Sequence, residues 1–162
     1  MITDEELLEA MEAGLSAASA NFEEDGFAMS AILLIDEDGE RYVTLYNPAP
    51  HEVDALRKAI AGAIARLRIV AAVLAGEAWY RKVTNEEMLA GPQYGSLADD
   101  PGAGEMIFSV AFRAGSDRFF SNTRCIIRND DGTSTLSGPV LDDHGSGTMG
   151  SWLRDLLEEY WS

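Results

Sequence analysis

One cysteine, two histidines and no basic residue ahead of Arg41 are the scarcities that bound what this chain does. The lone Cys125 cannot close an internal disulfide and has no second thiol for a zinc site, which points to a reducing compartment. No run of about 18 apolar residues exists to span a bilayer. The opening Thr3-Asp4-Glu5-Glu6 lacks the basic and apolar regions of a signal peptide. The expectation is a cytoplasmic protein without a membrane partner. Motifs are scarce as well: there is no H-E-x-x-H, no cysteine cluster, no EF-hand spacing and no G-x-S-x-G elbow. These absences remove the reactions whose residue spacing is recognisable, and no cofactor, metal site or catalytic residue is assigned.

What the chain has in excess is acid, concentrated at one end. The first 40 residues hold twelve Asp or Glu and no Lys or Arg, and the remaining 122 hold sixteen acids against twelve bases, for a net charge of −16. Phosphate recognition depends on Lys and Arg releasing counterions, so direct nucleic-acid binding is excluded as an expectation. Anionic membranes are disfavoured on the same ground. High negative charge most often serves solubility, and a narrower reading is an acidic DNA mimic that occupies a DNA-binding protein. Hydrophobic residues at 46% and charged residues at 25% are otherwise an ordinary globular balance. The 162 residues fit a single domain able to bury roughly 70% of its unfolded surface.

Periodicity predicts an α+β fold: an antiparallel-rich sheet of about five to six strands with N-terminal, middle and C-terminal helices packed on one of its faces. Thr3 with Glu6 three residues on forms a capping box, and Leu8, Met11, Leu15, Ala18 and Phe22 make an apolar stripe on a helix running to about Ala20. A hairpin follows, Phe27–Ile35 and Tyr42–Tyr46 around the turn Asp36-Glu37-Asp38-Gly39. A helix from about His51 to Arg68 precedes the doubly apolar segment Ile69–Ala78, which reads as a central strand covered above and below. Residues 84–104 form a long irregular loop, with one helical turn at Asn85–Leu89. A three-stranded meander comes next, its inward face carrying Met106, Phe108, Val110 and Phe112, its second strand carrying Phe119 to Ile127, and its third running through Leu136 toward Val140. Ser151–Trp161 is the last helix.

Four groups carry candidate chemistry. Gly145-Ser146-Gly147-Thr148-Met149-Gly150 matches G-x-G-x-x-G between a strand and a helix, yet only twelve residues follow it, and a dinucleotide fold needs a further strand and an acid about 20 positions on. It reads as a glycine connection that lets the last helix dock. Arg113, Arg118, Arg124 and Arg128 project from the face opposite Phe112 and Phe119, and read first as a solvated stripe. If Arg113 and Arg118 face one another they require a carboxylate or anion between them, for which the acidic N-terminal segment is the obvious source. Glu77 ends the most buried strand beside Trp79, where burial is able to raise a carboxyl's pKa for acid–base work. His144 follows Asp142-Asp143, but adjacent loop side chains seldom converge on a metal.

Two functional classes follow. The first is a non-enzymatic interaction domain with a protein partner or a second copy of itself, as a homodimer, supported by apolar helix stripes, an aromatic surplus and complementary acidic and basic segments. The second is a ligand-binding protein or enzyme whose pocket lies between the sheet and the 84–104 loop, with Glu77, Trp79, Tyr94 and His144 convergent. The acidic decoy is a third alternative, and it requires the N-terminal carboxylates to share one exposed face.

Overall fold

Residues 1–46, 50–80, 86, 103–142 and 150–162 are described by the computed structural model. The capping box forms: the Glu6 N–H donates to Thr3 Oγ1 at 3.2 Å, and the Thr3 N–H donates to the Glu6 carboxylate at 2.7 Å. Helix α1 spans Asp4–Asp25, longer than the sequence reading, because Phe22 continues the buried stripe and the chain turns only at Gly26. There a left-handed residue returns its N–H to the Phe22 carbonyl. Strand β1 (Ala31–Asp36) starts four residues later than expected. The Ala28 N–H is taken by the Glu77 carboxylate and the Met29 N–H by the Asn21 side chain, so these donors do not enter the ladder. Asp36 then fixes the turn, accepting the N–H groups of Asp38 and Glu40 and the Tyr42 hydroxyl. Burial pushes the Asp36 carboxyl up, but these donors outweigh it and hold the group below its ordinary range.

Strand β2 (Arg41–Leu45) completes the hairpin. A 3₁₀ turn at Pro50–Glu52 delays helix α2 to Val53–Leu67. Strand β3 (Ile69–Tyr80) pairs antiparallel with β1 on one side and with β4 (Gly104–Arg113) on the other. Strand β5 (Phe120–Arg128) follows. The predicted last strand is two short ones, β6 (Ser134–Leu136) and β7 (Val140–Asp142), both paired to β5. The break has a local cause: Ser137 turns both its N–H and its hydroxyl to Cys125, and Pro139 has no donor for the ladder. Helix α3 is Ser151–Trp161. The sheet is antiparallel throughout, in the order β2-β1-β3-β4-β5-β6, with β7 also beside β5. This is the α+β class read from the sequence, with seven strands among the described residues.

One expectation is corrected: the helices cover both faces, not one. Helices α2 and α3 pack Ile60, Ile64, Leu153 and Leu157 on Ile32, Leu34, Ala72, Leu74, Val110 and Phe112. Helix α1 lies on the other face across β3, β4 and β5, burying Leu7, Met11, Leu15 and Phe22 on Ala71, Val73, Ile107, Ala111 and Phe120. Strand β3 is therefore buried on both sides from Ile69 to Gly76, which is why its sequence shows no alternation. Two glycines let helices approach the sheet closely. A Cβ at Gly14 of α1 would lie 3.0 Å from Ser109 Oγ on β4. Gly150, at φ +73°, opens α3 where a Cβ would meet Leu74 and Val110 side chains at 3.3 Å. The docking role read for the glycine run holds at this last residue; Gly145 to Met149 lie outside the described residues, as does the Asn85–Leu89 turn except for Glu86.

Candidate functional site

The four arginines share the α1 face, as their alternation against Phe112 predicts, but that face is not a solvated stripe. They bracket the helix instead. At its N-terminal end the Asp4 carboxylate sits between two of them: Arg113 Nε donates to Oδ1 at 2.6 Å and Arg118 Nη1 to Oδ2 at 2.8 Å. The carboxylate required between Arg113 and Arg118 thus comes from the acidic segment of the same chain. The Arg113 bond leads in holding the Asp4 carboxyl below its ordinary 3.8 against the opposing effect of burial. Arg118 also lies over the Phe120 ring, 4.8 Å from its centroid.

At the C-terminal end of α1, Arg128 grips Glu105 through two bonds of 2.8 and 3.0 Å and reaches Ser134 Oγ with its remaining nitrogen. The Glu105 carboxyl is lowered chiefly by that pairing. Arg124 Nε donates to the Ser137 carbonyl at 2.8 Å. Phe22, Glu23, Arg124, Arg128, Thr135 and Leu136 border an open groove of about 510 Å³ here. Glu77 and Trp79 project from β3 on the same face, and Glu77 Oε1 accepts the Ala28 N–H at 2.6 Å. Glu77 and Trp79 do not line the groove, and Glu77 serves as the clip that ties the α1–β1 connection to the sheet.

Of the residues singled out in the sequence, Glu77, Trp79, Arg124 and Arg128 therefore come to one end of the α1 face and Arg113 and Arg118 to the other. Tyr94 and His144, with most of the 84–104 loop, lie outside the described residues. Cys125 is half-buried on the opposite face, where the Tyr80 hydroxyl lies 3.3 Å from its sulfur and that contact raises the tyrosine's pKa. The N-terminal carboxylates divide. Asp4, Asp36 and Glu37 are engaged internally, Glu37 by Arg68, while Glu5, Glu9, Glu12 and Glu23 line the exposed side of α1. Among the described residues no three His, Cys, Asp or Glu side chains are placed to hold a metal, and no helix is long and apolar enough to cross a membrane.

The feature that the sequence reading missed is the edge of the sheet. All five residues of β2 are exposed, Val43 at 70% and Leu45 at 59%. Among the described residues nothing pairs with its outer side. The Asp36 N–H bonds to the Glu40 carbonyl, and the Tyr46 N–H to that of Ser30. That parity turns the main-chain groups of Glu40, Tyr42, Thr44 and Tyr46 toward β1, and leaves those of Arg41, Val43 and Leu45 aimed outward. The same three side chains lie on the α1 face opposite Ile35, Leu33 and Ala31, with Arg41 in a shallow groove beside Glu6 of α1 and Val43 and Leu45 exposed. One sequence signal marked this strand: from Arg41 through His51 the chain carries no acid.

No family model, curated protein or solved structure matches this chain.

Proposed function

We propose that this chain is a non-enzymatic protein-interaction module whose docking element is the outer edge of β2. The observation that carries the reading is the continuous open ladder at Arg41, Val43 and Leu45, flanked on one face by exposed apolar side chains. A free edge is a template for another strand, and proteins normally blunt it with lysine, proline, a bulge or a very short strand. The opposite edge is managed in that way: β6 and β7 are three residues each, with Pro139 between them. Strand β2 carries neither Lys nor Pro, and its register with β1 runs without a shift. Strand addition recognises a partner through main-chain bonds, with alternate side chains supplying selectivity.

The polar groups elsewhere support a binding role over catalysis. The Nε atoms of Arg124 and Arg128 in the groove are bonded to internal acceptors, and Glu77 Oε1 holds a backbone N–H. The test is site-specific photocrosslinking in the native host, with the reactive residue at position 43 and, as control, at the exposed Glu12 on α1. Adducts at 43 and not at 12 are expected. Equal yields at both positions, or none, would remove the edge as the docking element.

A further inference from the structure

Resting on that reading of the edge, we infer that the strand received by β2 is β2 of a second copy, paired antiparallel about a two-fold axis through Val43. Outward main-chain groups sit at three positions, Arg41, Val43 and Leu45, and three alternate positions are symmetric about the middle one. Antiparallel pairing then sets Val43 against Val43 and Arg41 against Leu45 in both directions, so each outward N–H and C=O of the strand acquires a partner. Side chains agree with the register. Val43 packs on its own copy, and the aliphatic stem of Arg41 covers the exposed Leu45 of the other molecule while its guanidinium stays in water.

Charge selects among the registers. Each copy carries a net −16, and two such molecules repel unless their contact is locally free of acid. Strand β2 is the neutral-to-basic part of the hairpin, while Asp36, Glu37, Asp38 and Glu40 crowd its turn. Pairing about Val43 places the two acidic turns at opposite ends of the joined strands, about 30 Å apart at ~3.3 Å per residue, against a screening length of about 8 Å. Centring the pair on Arg41 would bring the turns to roughly half that distance and strand Leu45 without a partner. Five-residue strands give a small contact, so the dimer forms and dissociates with concentration rather than being permanent. It also tightens with added salt, because screening weakens the net repulsion and leaves backbone bonds and apolar contacts intact.

The experiment is sedimentation velocity of the full chain from low micromolar to high hundreds of micromolar, at two salt concentrations, with three variants. Val43→Pro deletes an outward donor and no bond to β1, whereas Val43→Lys keeps the donor and puts like charges across the axis. In a Cys125→Ser background, Val43→Cys places two thiols on a directly opposed pair with Cα atoms about 5.5 Å apart, within disulfide reach, while Thr44→Cys places them beyond it. Expected are a concentration-dependent dimer that strengthens with salt, its loss in Val43→Pro and Val43→Lys at unchanged melting temperature, and an oxidised crosslink at 43 but not at 44. A wild-type chain that stays monomeric throughout, or a dimer that persists in Val43→Pro, overturns the inference. A monomer that still yields position-43 adducts to a different protein overturns only the self-pairing; a monomer without such adducts removes the docking edge as well.

Discussion

Helix α1 meets the sheet most closely where Gly14 crosses β4, and the contact there is polar. Ser109 is fully buried, and neither its Oγ nor the Oδ1 of Asn122, its partner on β5, has a hydrogen bond among the described residues. A buried hydroxyl without a partner costs about 1–3 kcal/mol, so Ser109→Ala is expected to stabilise the protein by about 1 kcal/mol once the small void it leaves is charged against the gain. Gly14→Ala on its own is expected to be close to neutral. Replacing glycine inside a helix gains about 1 kcal/mol, but the new methyl would sit 3.0 Å from Ser109 Oγ and the crowding offsets it. With Ser109→Ala in the background that obstacle is gone. What remains are ordinary contacts at 3.4 and 3.5 Å to Val73 and Ala75. The double variant should gain about 2 kcal/mol, some 1 kcal/mol more than the sum of the singles. For a chain of this size that raises the melting temperature by roughly 4–8 °C. Urea and thermal unfolding of the four proteins in one cycle measure it. Destabilisation by Ser109→Ala, or strict additivity, would show that the Oγ has a partner or that the helix is not held at that distance.

Two further outcomes test the clamps around α1. Asp4 and Glu105 both have folded pKa values lowered by arginine partners, so their contribution is complete above their ordinary values of 3.8 and 4.5 and is lost as pH falls through the folded ones. Urea midpoints should therefore drop below about pH 5, and Asp4→Asn, costing about 1–2 kcal/mol at neutral pH, should show a smaller acid loss than wild type; an identical loss in both would mean that Asp4 does not hold the two arginines. Glu77→Ala should cost about 1–3 kcal/mol by orphaning the buried Ala28 N–H, whereas Glu77→Gln keeps an acceptor and loses less. Faster hydrogen exchange at Ala28 in the alanine variant alone is the signature, and unchanged exchange would count against the clip.

Much of the fold was legible because local chemistry and tertiary packing agree. Thr3 and Glu6 announce the start of α1, and the unbroken apolar run from Ile69 announces a strand with neighbours above and below. What periodicity left open was which element covers which face. Alternation shows that Arg113 and Phe112 point to opposite sides of β4, but the sheet's far side was read as solvent because four arginines lie on it. They lie at the rim of the α1 footprint, two at each end, where a charged head reaches a carboxylate or carbonyl while the middle of the same face carries Ala71, Val73, Ile107 and Ala111. A count of charged residues on a face thus misled, and their spacing along it, separated by Phe120, Asn122 and Ile126, held the correct signal. The edge of β2 was illegible for a different reason. Exposure of Val43 and Leu45 depends on how far α1 reaches across the sheet, and its apolar side ends on Ile35 and Leu33 of β1. Glu6 shares a shallow groove with Arg41 at the turn end of the hairpin, and Val43 and Leu45 stay exposed beyond it. The segment that holds three quarters of the net charge leaves the outer edge of β2, a strand without acid, unpaired among the described residues, and the proposed pairing between copies rests on that edge.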